Sequence, residues 1–195
     1  MQRVFPKNQS AFTLIEILVA AAVFCIIIVS IASVSVSSVR LQRHNLTSQQ
    51  MLSQASYSLE YMARFIRMAK KDSDGLCTGG TAWNYSQNSS SEISFRDYNN
   101  QCQKFYLEGG KIKQNGTMVM PNGTNAPING LDITSGNFEV KNLNFAIVGE
   151  REWPADDYQP RVTIFIEMEG TGVFPHPKIS VQTTVSQRDI DVPDY

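Results

Sequence analysis

The chain has 195 residues, of which 42% are apolar and 18% charged, and its formal net charge is −1. No basic run exceeds Lys70-Lys71, so the electrostatic footprint of a nucleic-acid-binding surface is missing and no nucleic-acid partner is expected. The charge content fits a soluble protein with one hydrophobic segment attached; setting aside roughly 70 N-terminal residues leaves about 125, enough for one modest domain.

Residues 1–11, MQRVFPKNQSA, are short and polar, with Arg3 and Lys7 as their charged side chains, and read as a leader. From Ile17 to Val39 follow 23 residues without an Asp, Glu, Lys or Arg, long enough to cross a bilayer as a helix. Ser30, Ser33, Ser35, Ser37 and Ser38 dilute the second half of this run, and Cys25 within it reads as a buried apolar thiol. At its start stands Glu16, a carboxylate with no obvious partner nearby in sequence.

From Phe12 onward no glycine occurs before Gly75 and no proline before Pro121, so nothing forces the helix to stop at the membrane surface. Leu52, Ala55, Leu59, Met62, Ile66 and Ala69 recur at helical steps with polar residues between them, which predicts an amphipathic continuation. Lys70 and Lys71 suit the negative end of a helix dipole, and Asp72, Ser73, Asp74 and Gly75 terminate it. The predicted helix runs from Thr13 to Lys71, 59 residues, or about 90 Å. The expected organisation is a leader at 1–11, a membrane segment at 12–39, the amphipathic half of the same helix at 40–74 and a β-rich globular domain at 75–195.

Beyond Gly75 the hydrophobic period changes to two. Ile93, Phe95 and Tyr98 mark one strand, Phe105 and Leu107 a second, and Phe138 to Val148 a third. Arg161 to Glu169 and Lys178 to Ser186 alternate β-branched with polar residues and read as a hairpin around GTGVFPHP. The expected class is α+β, a long N-terminal helix laid on an antiparallel meander. The segments GLCTGGTAWNYSQNSSS and QNGTMVMPNGTNAPING read as irregular loops. Asn84, Asn88, Asn115 and Asn122 each open an N-x-S/T triplet, a common pattern in Asn-rich loops.

Cys77 and Cys102 are the two thiols of the soluble part. Outside the cytoplasm they are candidates for a disulfide closing a 26-residue loop, worth about 3 kcal/mol by the chain-entropy argument. The alternatives are two free thiols or a metal site, although neither a CxxC nor a paired histidine accompanies them. Asp156-Asp157 and Asp189, Asp191 and Asp194 offer carboxylates for calcium, but solvated acidic loops account for them; Asp72-x-Asp74-Gly75 lacks the later Glu of a calcium loop. No metal or cofactor is implied. His44 and His176 are isolated and neither G-x-S-x-G nor a phosphate loop occurs, so no enzyme site is expected.

Three readings of the N-terminus compete. In a plain signal anchor Glu16 is an interfacial residue of modest cost, and the domain is a membrane-anchored extracytoplasmic binding module that does not polymerise. A cleaved secretory signal, with small-x-small sites at Ser33-Val34-Ser35 or Ser35-Val36-Ser37, fits poorly because the apolar core is too long. The third reading takes SAFTLIEILVAAAVFCIIIVSIA as a unit. AFTLIEILVA resembles the cleavage and methylation motif of type IV prepilins and type II secretion pseudopilins.

That resemblance implies cutting by a prepilin peptidase between Ala11 and Phe12, N-methylation of Phe12, and an assembly role for Glu16, which matches the family's glutamate in the first helical turn. Ala11 departs from the glycine usual before the cut, while keeping a small side chain. The resemblance also implies a pilin-like fold, residence in the cytoplasmic (inner) membrane with the domain outside, and partners in the membrane lipid, an inner-membrane assembly platform and other pilin or pseudopilin subunits. RVTIFIEMEG followed by KISVQTTVSQRDIDV resembles, more loosely, the J-type minor pseudopilins and related minor pilins, accessory subunits at or near a filament tip. In this frame Glu16 accepts the Phe12 ammonium of a neighbouring subunit, which neutralises both charges and sets axial register.

Overall fold

The computed structural model describes residues 13–119, 125–151, 158–172 and 176–189. One helix, α1 (Leu14–Arg67), precedes seven strands: β1 (Glu92–Arg96), β2 (Cys102–Glu108), β3 (Lys111–Val119), β4 (Asn125–Asp132), β5 (Phe138–Val148), β6 (Arg161–Gly170) and β7 (Lys178–Ser186). The class is α+β. By contacts the chain divides into two units, Met1–Arg43 and His44–Tyr195.

The described part of the first unit is helix from Leu14 onward, without tertiary contact. All residues from 13 to 43 are exposed. The serine hydroxyls that dilute the apolar run turn inward on the helix backbone: Ser30 donates to the Ile26 carbonyl at 2.8 Å, Ser35 to Ile31 at 3.0 Å and Ser37 to Ser33 at 3.0 Å. These bonds satisfy groups that would be costly in lipid, so the serines do not disqualify the segment as a span.

In the second unit α1 buries one face through Met51, Ala55, Ser58, Leu59, Met62, Ala63 and Ile66. Met51 takes the inward place expected of Leu52, which is half-exposed. The strands form two antiparallel sheets rather than one, in the orders β1-β2-β3-β4 and β5-β6-β7. They meet where Val140 N–H donates to the Gly110 carbonyl and Phe145 N–H to that of Ser90, both at 2.8 Å. Phe95, Phe105, Leu143, Phe145, Ile164 and Ile166 are fully or almost fully buried and share one core with the helix. Around Phe105 the rings of Tyr61, Phe65 and Phe95 lie 5.8 to 6.2 Å away, in edge-on and tilted arrangements that favour aromatic contact.

The segment expected to be irregular, residues 114–130, instead contributes to β3 and β4 where it is described. Its alternation is disguised because one inward position of β3 is Gln114, a polar residue at 0% exposure. Tyr61 Oη donates to Gln114 Oε1 at 2.7 Å, and Gln114 Nε2 donates to Gln103 Oε1 at 2.9 Å. Gln103 Nε2 in turn reaches Asp97 Oδ2 at 2.9 Å and the Thr117 carbonyl at 2.7 Å. Gly116 is required here, since a β-carbon would collide with the Gln103 side chain. The amides thus behave as core residues because their bonds are supplied internally.

The helix also ends earlier than Lys71. Ala69 N–H tightens onto the Ile66 carbonyl at 3.2 Å, Tyr85 Oη donates to the same carbonyl at 2.8 Å, and Arg188 N–H donates to that of Arg67 at 2.8 Å. Lys70 has already left the helix to bridge Arg96. Partners from the domain occupy the last carbonyls and replace a further helical turn.

Candidate functional site

At the N-terminal end of the described helix, Glu16 and Ile17 N–H both donate to the Thr13 carbonyl, at 3.1 and 3.3 Å. The first turn is therefore formed and Glu16 projects from it. Ala11 and Phe12 lie outside the described residues. A shallow depression runs along the helix past Glu16, Ile17, Ala20, Ala21 and Phe24. The small side chains at 20 and 21 let another helix approach closely beside the carboxylate, the usual condition for helix contact in an apolar medium. Leu14, Ile15, Phe24, Ile26 and Val29 are 62 to 77% exposed. Such a surface needs lipid or other helices around it.

The described end of the same helix is locked to the domain by a polar clamp absent from the sequence-based expectation. Asp72, read there as a helix terminator, is fully buried. Its Oδ2 accepts from Cys77 N–H at 2.7 Å, Thr78 N–H at 2.8 Å and Thr78 Oγ1 at 3.0 Å. Its Oδ1 lies 3.5 Å from Arg96 Nε, while Arg96 Nη2 donates to Asp74 Oδ2 at 2.9 Å. Burial pushes the Asp72 pKa up, but the Thr78 and Cys77 bonds and the Arg96 charge outweigh it and hold the carboxyl below its ordinary value. Arg96 gave no sequence signal, because a single arginine in a strand is ordinarily a solvated one.

Cys77 and Cys102 are joined in a disulfide with a Cα–Cα distance of 5.0 Å, linking the loop after α1 to the start of β2. Cys25 is a free thiol on the exposed helix. Asn84 is completely buried, which removes its triplet from consideration as a glycosylation acceptor. Of the acidic groups considered for calcium, Asp72 and Asp74 are engaged by Arg96, whereas Asp156, Asp157, Asp191 and Asp194 lie outside the described residues.

Residues 6–32 match the family model described as Prokaryotic N-terminal methylation motif. No curated protein and no solved structure matches the chain. The matched segment overlaps α1, the one helix among the described residues long and apolar enough to cross a membrane. The two observations fit a single-pass, membrane-anchored protein. The N-terminus is similar to that of type IV prepilins, and the α+β arrangement of one long helix and antiparallel sheets is pilin-like.

Proposed function

We propose that this chain is a minor pilin or pseudopilin, a structural subunit rather than an enzyme. It is inserted in the cytoplasmic membrane with residues 1–11 inside and the domain outside. Prepilin peptidase cuts it between Ala11 and Phe12 and the new N-terminus is methylated. The subunit is then incorporated, with the help of an inner-membrane assembly platform, at or near the tip of a type IV pilus or a type II secretion pseudopilus.

The observation that carries this reading is the methylation motif at residues 6–32, overlapping a helix whose apolar residues are exposed throughout 14–43. The same surface serves twice, holding the subunit in lipid before assembly and packing against other subunits' helices afterwards. Glu16 has a physical task in the second state. In a low-dielectric bundle it needs a cation, and the Phe12 ammonium of a neighbouring subunit supplies one, so that only one axial stagger leaves both charges paired. The accessory role is supported by the absence of Gly and Pro between Phe12 and Asp74, since shaft-forming pilins often carry such a residue there, and by the likeness of the last two strands to minor subunits.

The test is the intact mass and N-terminal peptide of the protein from its host. A chain beginning at methylated Phe12 is expected. A chain beginning at Met1 would replace this reading with a permanent anchor.

A further inference from the structure

Two antiparallel sheets have four edges, and three of them are closed or interrupted. The free side of β1 is bridged by Lys70 to Arg96 and by Ser86 to Ser94. That of β5 is stitched to the other sheet through Val140 and Phe145. β4 carries Pro127, which has no N–H to offer, and Gly130 at φ +65°. β7 has none of these devices. It pairs with β6 over nine residues without a register shift, and among the described residues no backbone bond reaches its other side. Between Ile179 and Ser186 it contains no proline, glycine or charge. Such an edge is a template for a further strand unless something covers it.

We infer that the edge of β7 receives an extended strand from a different subunit of the assembly; this rests on the reading of the chain as a filament subunit. The side chains specify the visitor. Ile179, Val181 and Thr183 face the core side but are only half-buried, whereas Ile164, Ile166 and Met168 opposite them on β6 are fully buried. The core therefore extends past β6 and is left incomplete at β7. On the outer face stand Ser180, Gln182, Thr184 and Ser186, polar and uncharged.

The complementary strand carries β-branched or other apolar residues at every second position and uncharged polar ones between them, because a charge set beside Ile179 or Val181 would be buried without a partner. Lys178 at one end is already 3.7 Å from Glu169 of β6, so the visitor needs no charge there. A second copy of β7 does not suit. Two-fold pairing with continuous inner faces would run the helices lying on the two sheets in opposite directions, while chains anchored in one membrane run the same way.

Amide hydrogen exchange of the full chain tests this, comparing protein purified in detergent micelles with protein in native host membranes, where its partners are present. In micelles every second amide between Ile179 and Val185 is expected to exchange fast. In native membranes those same amides should slow by about tenfold or more. Thr183→Lys, a charge directed inward at the edge, should abolish that slowing and leave the β6 amides protected.

Amides already slow in micelles would mean that another segment of this chain covers the edge, and would overturn the inference. So would unchanged exchange in membranes, or slowing that survives Thr183→Lys. Failure of the filament reading is seen separately. A chain starting at Met1 in its host would overturn that reading, whereas the alternate-amide pattern reports on β7 alone.

Discussion

Arg96 Nε stands 3.5 Å from the buried Oδ1 of Asp72, and the two atoms are each other's ionic partner at the junction between the helix, the disulfide loop and β1. The remaining Asp72 oxygen gathers three donors from residues 77 and 78. One carboxylate thus orders the turn that carries Cys77 and fastens it to the first strand.

Stability should therefore depend on pH in the acid range. Asp72 has its pKa held below the ordinary 3.8. A group depressed on folding contributes fully above its unfolded pKa and loses that contribution as pH falls through the folded one. Denaturant melts of the full chain in micelles should show stability falling below about pH 4. Asp72→Asn should lower stability at pH 7 by about 1 to 3 kcal/mol, because it takes the buried charge away from Arg96 Nε while Asp74 still holds Nη2, and should flatten the acid limb. An unchanged limb would assign the acid sensitivity to other carboxyls.

Removing the disulfide should weaken the domain without abolishing it. Cys77→Ser with Cys102→Ser is expected to cost about 2 to 4 kcal/mol, less any loss already absorbed by the Asp72 bonds to the same loop. Peptide mapping without reductant should recover residues 77 and 102 on one linked peptide. Two alkylatable thiols there would contradict the bridge.

Within the core, Phe105→Ala should cost about 3 to 5 kcal/mol, since three aromatic neighbours and full burial leave no room for collapse. Tyr61→Phe should cost about 1 to 2 kcal/mol, because it strips Gln114 Oε1 of its donor while preserving the ring. Burial raises the Tyr61 pKa and keeps the phenol protonated to donate. Gln114→Leu, by contrast, would orphan the Gln103 carbonyl oxygen as well as the tyrosine hydroxyl. It should be the more damaging of the two, which chemical melts of both variants will rank.

For assembly, Glu16→Ala should leave membrane insertion intact and reduce incorporation into sheared filament material. Ala11→Gly should speed removal of residues 1–11, measured as the ratio of precursor to mature chain after a short pulse. Equal processing of the two precursors would show that the peptidase tolerates either small residue.

The amino-acid sequence by itself determined the long helix, because a run without glycine or proline and a change from uniform to periodic hydrophobicity are local properties. It also determined β5, β6 and β7, whose apolar residues alternate with polar ones as a half-buried strand requires. The existence of β3 and β4, the division into two sheets, and the burial of Gln103, Gln114 and Asp72 were decided only in three dimensions. A polar side chain can lie inside only if a distant residue completes its hydrogen bonds: Tyr61 is 53 positions from Gln114, and Arg96 is 24 from Asp72. No local pattern announces such a partner, because its position is set by how the helix and the two sheets pack.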